Sequence, residues 1–157
     1  MRTYYSLPLL LTIGLIAAKP VIADVTKPSQ TIDAMKISTI TKMYQQDVSN
    51  EGMDSPGVLQ QYANQDLKAA IQIEQDYFDK KQMSCHVGYD VLWDAQDPDY
   101  GQEKAFSMTQ QGLVQVSLAQ GSNVYYELSC DADCQVADVI LDEDGKSLRK
   151  HLLETCQ

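Results

Sequence analysis

The amino-acid sequence predicts an α+β fold, in which N-terminal helices pack on a curved antiparallel sheet that is followed by a short C-terminal helix. Three observations carry that reading. Before Cys85 apolar residues recur at intervals of three and four, and beyond it they alternate with polar ones, so the period changes from helical to extended. Helices followed by strands is the order of an α+β chain. The four cysteines, Cys85, Cys130, Cys134 and Cys156, are an even set suited to two disulfides in a small exported domain.

Residues 1–23 read as a cleavable secretory signal. Arg2 supplies the positive n-region, Leu7 to Ala18 form the apolar h-region, and Val21-Ile22-Ala23 precede the expected cut at Asp24. The apolar run is about a dozen residues, short of the roughly 20 that span a bilayer, so no stable membrane anchor is expected. No cysteine stands at the cut to carry a lipid. Export to the periplasm is the expected localisation. Removing residues 1–23 from 157 leaves 134, enough for one domain with one core.

Residues 24–30 read as a flexible lead and residues 31–157 as a single α+β domain. The first helix is expected over Thr31 to Val48, where Ile37, Ile40, Tyr44 and Val48, with Met43 beside them, make one apolar stripe. Ser49 to Gly57 forms a loop, with Ser55 placed to cap and Pro56 to take the first position of a short helix carrying Leu59 and Tyr62. Asp66 starts the next helix. There Leu67, Ala70, Ile71, Glu74 and Phe78 share a face, with Tyr77 on its border, and Lys80-Lys81 suit its C-terminal end.

Strands are expected at Tyr89–Asp94, Ala105–Thr109, Leu113–Ala119, Asn123–Cys130 and Cys134–Leu141. Val91 and Trp93, then Phe106 and Met108, then Val114, Val116 and Leu118 mark their inward positions. In the fourth, Val124, Tyr126 and Leu128 alternate with Tyr125, Glu127 and Ser129. Gln111-Gly112 and Gln120-Gly121-Ser122 are connectors of hairpin length. Asp142-Glu143-Asp144-Gly145 ends the last strand, and Leu148, Leu152 and Leu153 give the final helix its apolar stripe.

Four cysteines allow three connectivities, all compatible with the sequence. Spacing favours one of them. Cys130 and Cys134 flank the polar stretch Asp131-Ala132-Asp133 between two strands, which leaves Cys85 to join Cys156. Zinc is the competing use, since His86 and His151 lie near Cys85 and Cys156, but Cys-x-x-Cys and His-x-x-x-His spacings are both absent. No cofactor or metal is expected.

Charge narrows the partner. The segment after Ala23 holds 10 Lys and Arg against 22 Asp and Glu, a net charge of −12. Nucleic acid, which is bound by clustered cations, is a poor partner, and an anionic membrane surface would repel the chain. A basic protein is the natural complement.

The stretch Tyr89-Asp90-Val91-Leu92-Trp93-Asp94-Ala95-Gln96-Asp97-Pro98-Asp99-Tyr100 resembles a family of small exported bacterial proteins of unknown function. The Met43-Tyr44 pair, the Tyr126–Asp138 hairpin with its cysteines and the Gly145-Lys146-Ser147-Leu148 lead into the last helix fit the same family. The resemblance implies a cystatin-like α+β roll of the nuclear-transport-factor-2 type. Some small disulfide-bonded periplasmic proteins of this kind are immunity partners of toxins delivered between bacteria. Such rolls also carry enzymes and ligand binders, so the step from fold to function is one of analogy.

Candidate sites follow from chemistry. Asp94, Asp97 and Asp99 offer hard oxygens to a cation or to Arg and Lys of a partner, and they also suit a solvated turn around Pro98. Asp142, Glu143 and Asp144 fail the register of a calcium loop, because the twelfth position would fall on His151. They read as a polar turn, with Asp144 capping the last helix, and as a rim for a basic partner. Trp93, Tyr125 and Tyr126, with Phe78 and Tyr62, either line a pocket in the roll or fill the core. Glu74 stands out as an acid on an apolar stripe, whose pKa would rise on burial. His86, four residues before Asp90, is a candidate general base, but no Gly-x-Ser-x-Gly or free thiol accompanies it. His151 reads as a solvent-facing cation near a helix end. These readings converge on a non-catalytic periplasmic binding protein, an inhibitor or immunity factor for a secreted toxin or cell-wall enzyme. The competing reading is a small-ligand carrier or sensor using the concave face of the sheet.

Overall fold

In a computed structural model that describes residues 28–141 and 145–157, the first apolar stripe becomes α1 (Pro28–Asn50). Ile40, Met43 and Tyr44 are fully buried on it. The helix begins three residues before the expected Thr31, inside the expected lead, because a proline in the first turn has no N–H that the helix needs. The expected signal and residues 24–27 of the lead lie outside the described residues, as does the Asp142-Glu143-Asp144 turn. No described helix is long and apolar enough to cross a membrane.

The short helix α2 (Val58–Tyr62) starts after Gly57, which has no side chain to cap with, so neither Ser55 nor Pro56 takes the expected role. Helix α3 (Gln65–Lys81) follows at once. Asn64 is its N-cap: Oδ1 accepts from the Leu67 N–H at 3.0 Å, while its own N–H donates to the Val136 carbonyl at 2.8 Å. Leu67 and Ala70 are buried, Ile71 and Tyr77 are half-buried, and Phe78 is exposed, contrary to expectation. Phe78 falls where the stripe runs past the end of the packed surface. Lys80 and Lys81 occupy the last turn, as their charge favours.

Residues 89–94, whose alternation predicts a strand, form a turn instead. The Asp90 N–H donates to the Ala95 carbonyl at 2.9 Å, and the Asp90 carboxylate accepts from the Leu92 N–H at 2.9 Å. Val91, Leu92 and Trp93 are all buried, three in succession, which a two-faced strand cannot achieve. An aspartate that bonds the backbone two residues on offers the chain a turn in place of a ladder.

The remaining strands are β1 (Lys104–Met108), β2 (Val114–Leu118), β3 (Asn123–Cys130) and β4 (Cys134–Ile140), joined as an antiparallel meander in the order β1-β2-β3-β4. Phe106 faces Val116, Val114 faces Tyr126 and Leu128 faces Val136, which aligns the apolar sets on one side. Helix α1 lies against all four strands and fills that side. Helix α4 (Leu148–Thr155) packs on α3 and β4. Ser147 caps it, its Oγ accepting from the Lys150 N–H at 2.9 Å; the expected cap, Asp144, lies outside the described residues. Leu148 and Leu152 are buried and Leu153 is exposed.

The disulfides are Cys85–Cys156, between residues 71 apart, and Cys130–Cys134, across the β3–β4 turn. This is the pairing that spacing favours.

Candidate functional site

A cleft of about 270 Å³ opens where five pieces of chain meet. Helix α3 contributes Ile71 and Glu74, which share a face at a spacing of three, and α4 contributes Leu148 and Leu152 at a spacing of four. Val58 and Leu59 come from α2, Asp47 from the end of α1, and His86 and Asp90 from the segment between α3 and the sheet. The Cys85–Cys156 bridge ties that segment to α4 beside the cleft. His151 reinforces the tie, with Nε2 at 3.2 Å from the Cys85 carbonyl oxygen. It is half-buried there, not the solvent-facing cation that its helix-end position suggested.

Three carboxylates in this cleft are held above their ordinary pKa. Burial raises Glu74 most, and the positive charge of His86 and of His151 partly offsets it. Burial also raises Asp90, opposed by hydrogen bonds from the Leu92 and Trp93 N–H groups and by His86. Asp47 is only 4% exposed. Its burial outweighs the hydrogen bond that Trp93 Nε1 donates to Oδ2 at 2.6 Å, and the nearby Asp90 and Asp54 raise it further. Asp90 therefore makes Asp47 harder to ionise.

A buried polar scaffold stands behind the cleft. The Tyr44 hydroxyl donates to the Leu92 carbonyl and lies 2.9 Å from the Tyr126 hydroxyl. Trp93 packs edge-on against Tyr44 and Tyr100, with ring centres 5.2 and 5.4 Å away, and the Lys104 ammonium sits 5.0 Å above its ring. Tyr100 rests on Gly52, where the space for a side chain is filled by its hydroxyl. The Tyr100 pKa is raised by burial and then by the field of Asp90, Asp47, Asp97 and Glu51, so negative charge continues outward from the cleft.

Glu74, expected in a pocket, lines the cleft, and His86 and Asp90 join it there. Trp93 and Tyr126 fill the core instead, and Tyr125 lies on the opposite face of β3 from Tyr126. Asp94, Asp97 and Asp99 are exposed on the loop before β1. Asp94 has a positive φ of 48°, and Asp99 Oδ1 accepts from the Gly101 N–H at 2.9 Å. Asp142, Glu143 and Asp144 lie outside the described residues. Among the described residues no group of three or more His, Cys, Asp or Glu side chains is placed to hold a metal ion.

Two buried acids escape the sequence reading. Asp47 could have been found, since it stands three residues after Tyr44 and four after Met43 on the same apolar stripe, the signal that singles out Glu74. Asp138, 3% exposed on β4, accepts hydrogen bonds from the Ser147 hydroxyl and from the Arg149 N–H at 3.0 Å. It is a structural acid that pins the start of α4 to the sheet.

Comparison with protein-family models, curated proteins and solved structures finds no match to this chain. Its functional reading therefore rests on the cleft's own geometry.

Proposed function

We propose that the protein is an exported, non-catalytic binding protein of the periplasm that recognises a basic protein, as an inhibitor or immunity factor for a secreted toxin or cell-wall enzyme. The observation that supports this reading is the gathering of Asp47, Glu74 and Asp90 in one open cleft, continued outward by the field around Tyr100. Carboxylates with raised pKa values are relieved by an incoming cation, and by linkage that relief is binding free energy. An acidic face also steers a basic protein into encounter. The cleft is smaller than the roughly 300–1,000 Å³ usual for small-ligand pockets, and α1 covers the sheet face on which a carrier would hold its ligand.

The test is affinity capture on the tagged protein from periplasmic extract, with elution by a salt gradient. A basic protein retained at low salt and released as ionic strength rises is the expected result. A tagged protein that retains no protein and copurifies with a small molecule overturns the reading in favour of a carrier.

A further inference from the structure

We infer that the cleft is a socket for one Arg or Lys side chain projected by the partner, with the aliphatic stem along Ile71, Leu148 and Leu152 and the charged head at Glu74 and Asp90. This rests on the proposed recognition of a basic protein and assigns the residues that perform it. Three observations converge on a cation with an apolar stem. The lining combines aliphatic side chains with carboxylates, which matches the two halves of a long cationic side chain. The volume, about 270 Å³, suits a single side chain, with further affinity coming from the surrounding surface.

The third observation is an imbalance of charge. Ion pairs among the described residues are few: Arg149 pairs with Asp66 at 3.5 Å and with Asp138 at 3.8 Å, and Lys150 pairs with Glu154 at 3.8 Å. None of the ion pairs among the described residues involves Asp47, Glu74 or Asp90, and no Lys or Arg is among the residues lining the cleft. Only His86 and His151 oppose the upward shift of Glu74. The cleft thus gathers one buried and two half-buried acids with no Lys or Arg in its lining. A cation brought in by the partner would favour the ionised form of these acids and gain charge-assisted contacts with them.

The test uses Nα-acetyl-arginine amide as a stand-in for the partner's side chain, followed by methyl NMR of the intact protein. Saturable shifts confined to Ile71, Leu148 and Leu152 are expected, with the uncharged citrulline analogue at least about tenfold weaker, as loss of a charge-assisted contact implies. Glu74→Gln with Asp90→Asn should weaken binding by a similar factor. Gln75→Arg, which sets a cation at the exposed rim of the cleft, should also block the probe without disturbing the core. Equal binding of the citrulline analogue, or shifts mapping elsewhere, overturns the socket. If the captured basic protein binds wild type and both variants equally, the socket fails while recognition of a basic protein stands. If the probe binds but no protein is captured, the occupant is a free cation and the partner reading falls.

Discussion

A tyrosine hydroxyl has one proton, and in this core that limits which of two neighbours can spend it. Tyr44 gives its proton to the Leu92 carbonyl, so at 2.9 Å the Tyr126 hydroxyl must be the donor to Tyr44. Burial holds both hydroxyls above their ordinary pKa, and the shared bond follows the same order, raising its donor Tyr126 and lowering its acceptor Tyr44. Tyr44→Phe therefore strands both the Leu92 carbonyl and the Tyr126 O–H, whereas Tyr126→Phe strands only a lone pair on Tyr44. Urea denaturation should show a loss of about 2 kcal/mol for the first and about 1 kcal/mol for the second. Equal losses would mean that the chain of donors runs otherwise. Asp47 yields a second contrast. Asp47→Ala leaves the Trp93 N–H buried without an acceptor and should cost about 2 kcal/mol, while Asp47→Asn keeps an acceptor, sheds a burdened charge and should cost little.

Between elements, the two disulfides do unequal work. Cys85–Cys156 closes a separation of 71 residues and should contribute about 4 kcal/mol by restricting the unfolded chain, against about 2 kcal/mol for Cys130–Cys134, whose separation is 4. Replacing each pair by serine and comparing urea midpoints checks the ranking. Only loss of the first pair should also unfasten residues 85–90 from α4 and shift the His86 resonances, because the long bridge borders the cleft. The helices, β1 through β4 and this favoured pairing were legible because each depends on local period or spacing. The 89–94 turn was not, since Val91 and Trp93 mimic alternation and only tertiary packing buries Leu92 between them. Of the site, Glu74 was visible as an acid on an apolar stripe. The meeting of Glu74 with Asp47, Asp90 and His86 was not, because it joins three regions far apart in sequence.

Across the whole molecule, the cleft acids set a pH dependence with a definite sign. In Asp47, Glu74 and Asp90 the folded state binds protons more tightly than the unfolded chain, whose ordinary values are 3.8 for Asp and 4.5 for Glu. Between those values and the raised folded ones, folding takes up protons, so stability contributed by these groups grows as pH falls and is lost as pH rises. A chain with net charge −10 also repels itself less as its carboxylates are neutralised. Thermal unfolding followed as pH falls from 7 toward the ordinary carboxylate values should therefore show a rising midpoint for the wild type, where acids paired in the native state would give a fall. The variant carrying Asp47→Asn, Glu74→Gln and Asp90→Asn should start higher at pH 7 and respond less. Binding should run the opposite way: the carboxylates that burden the free protein attract a cationic partner only when ionised, so capture weakens over the interval in which the free protein gains stability. A wild-type midpoint that falls with acidification, or a variant with the same slope, would show that the cleft acids already find their compensation within the fold.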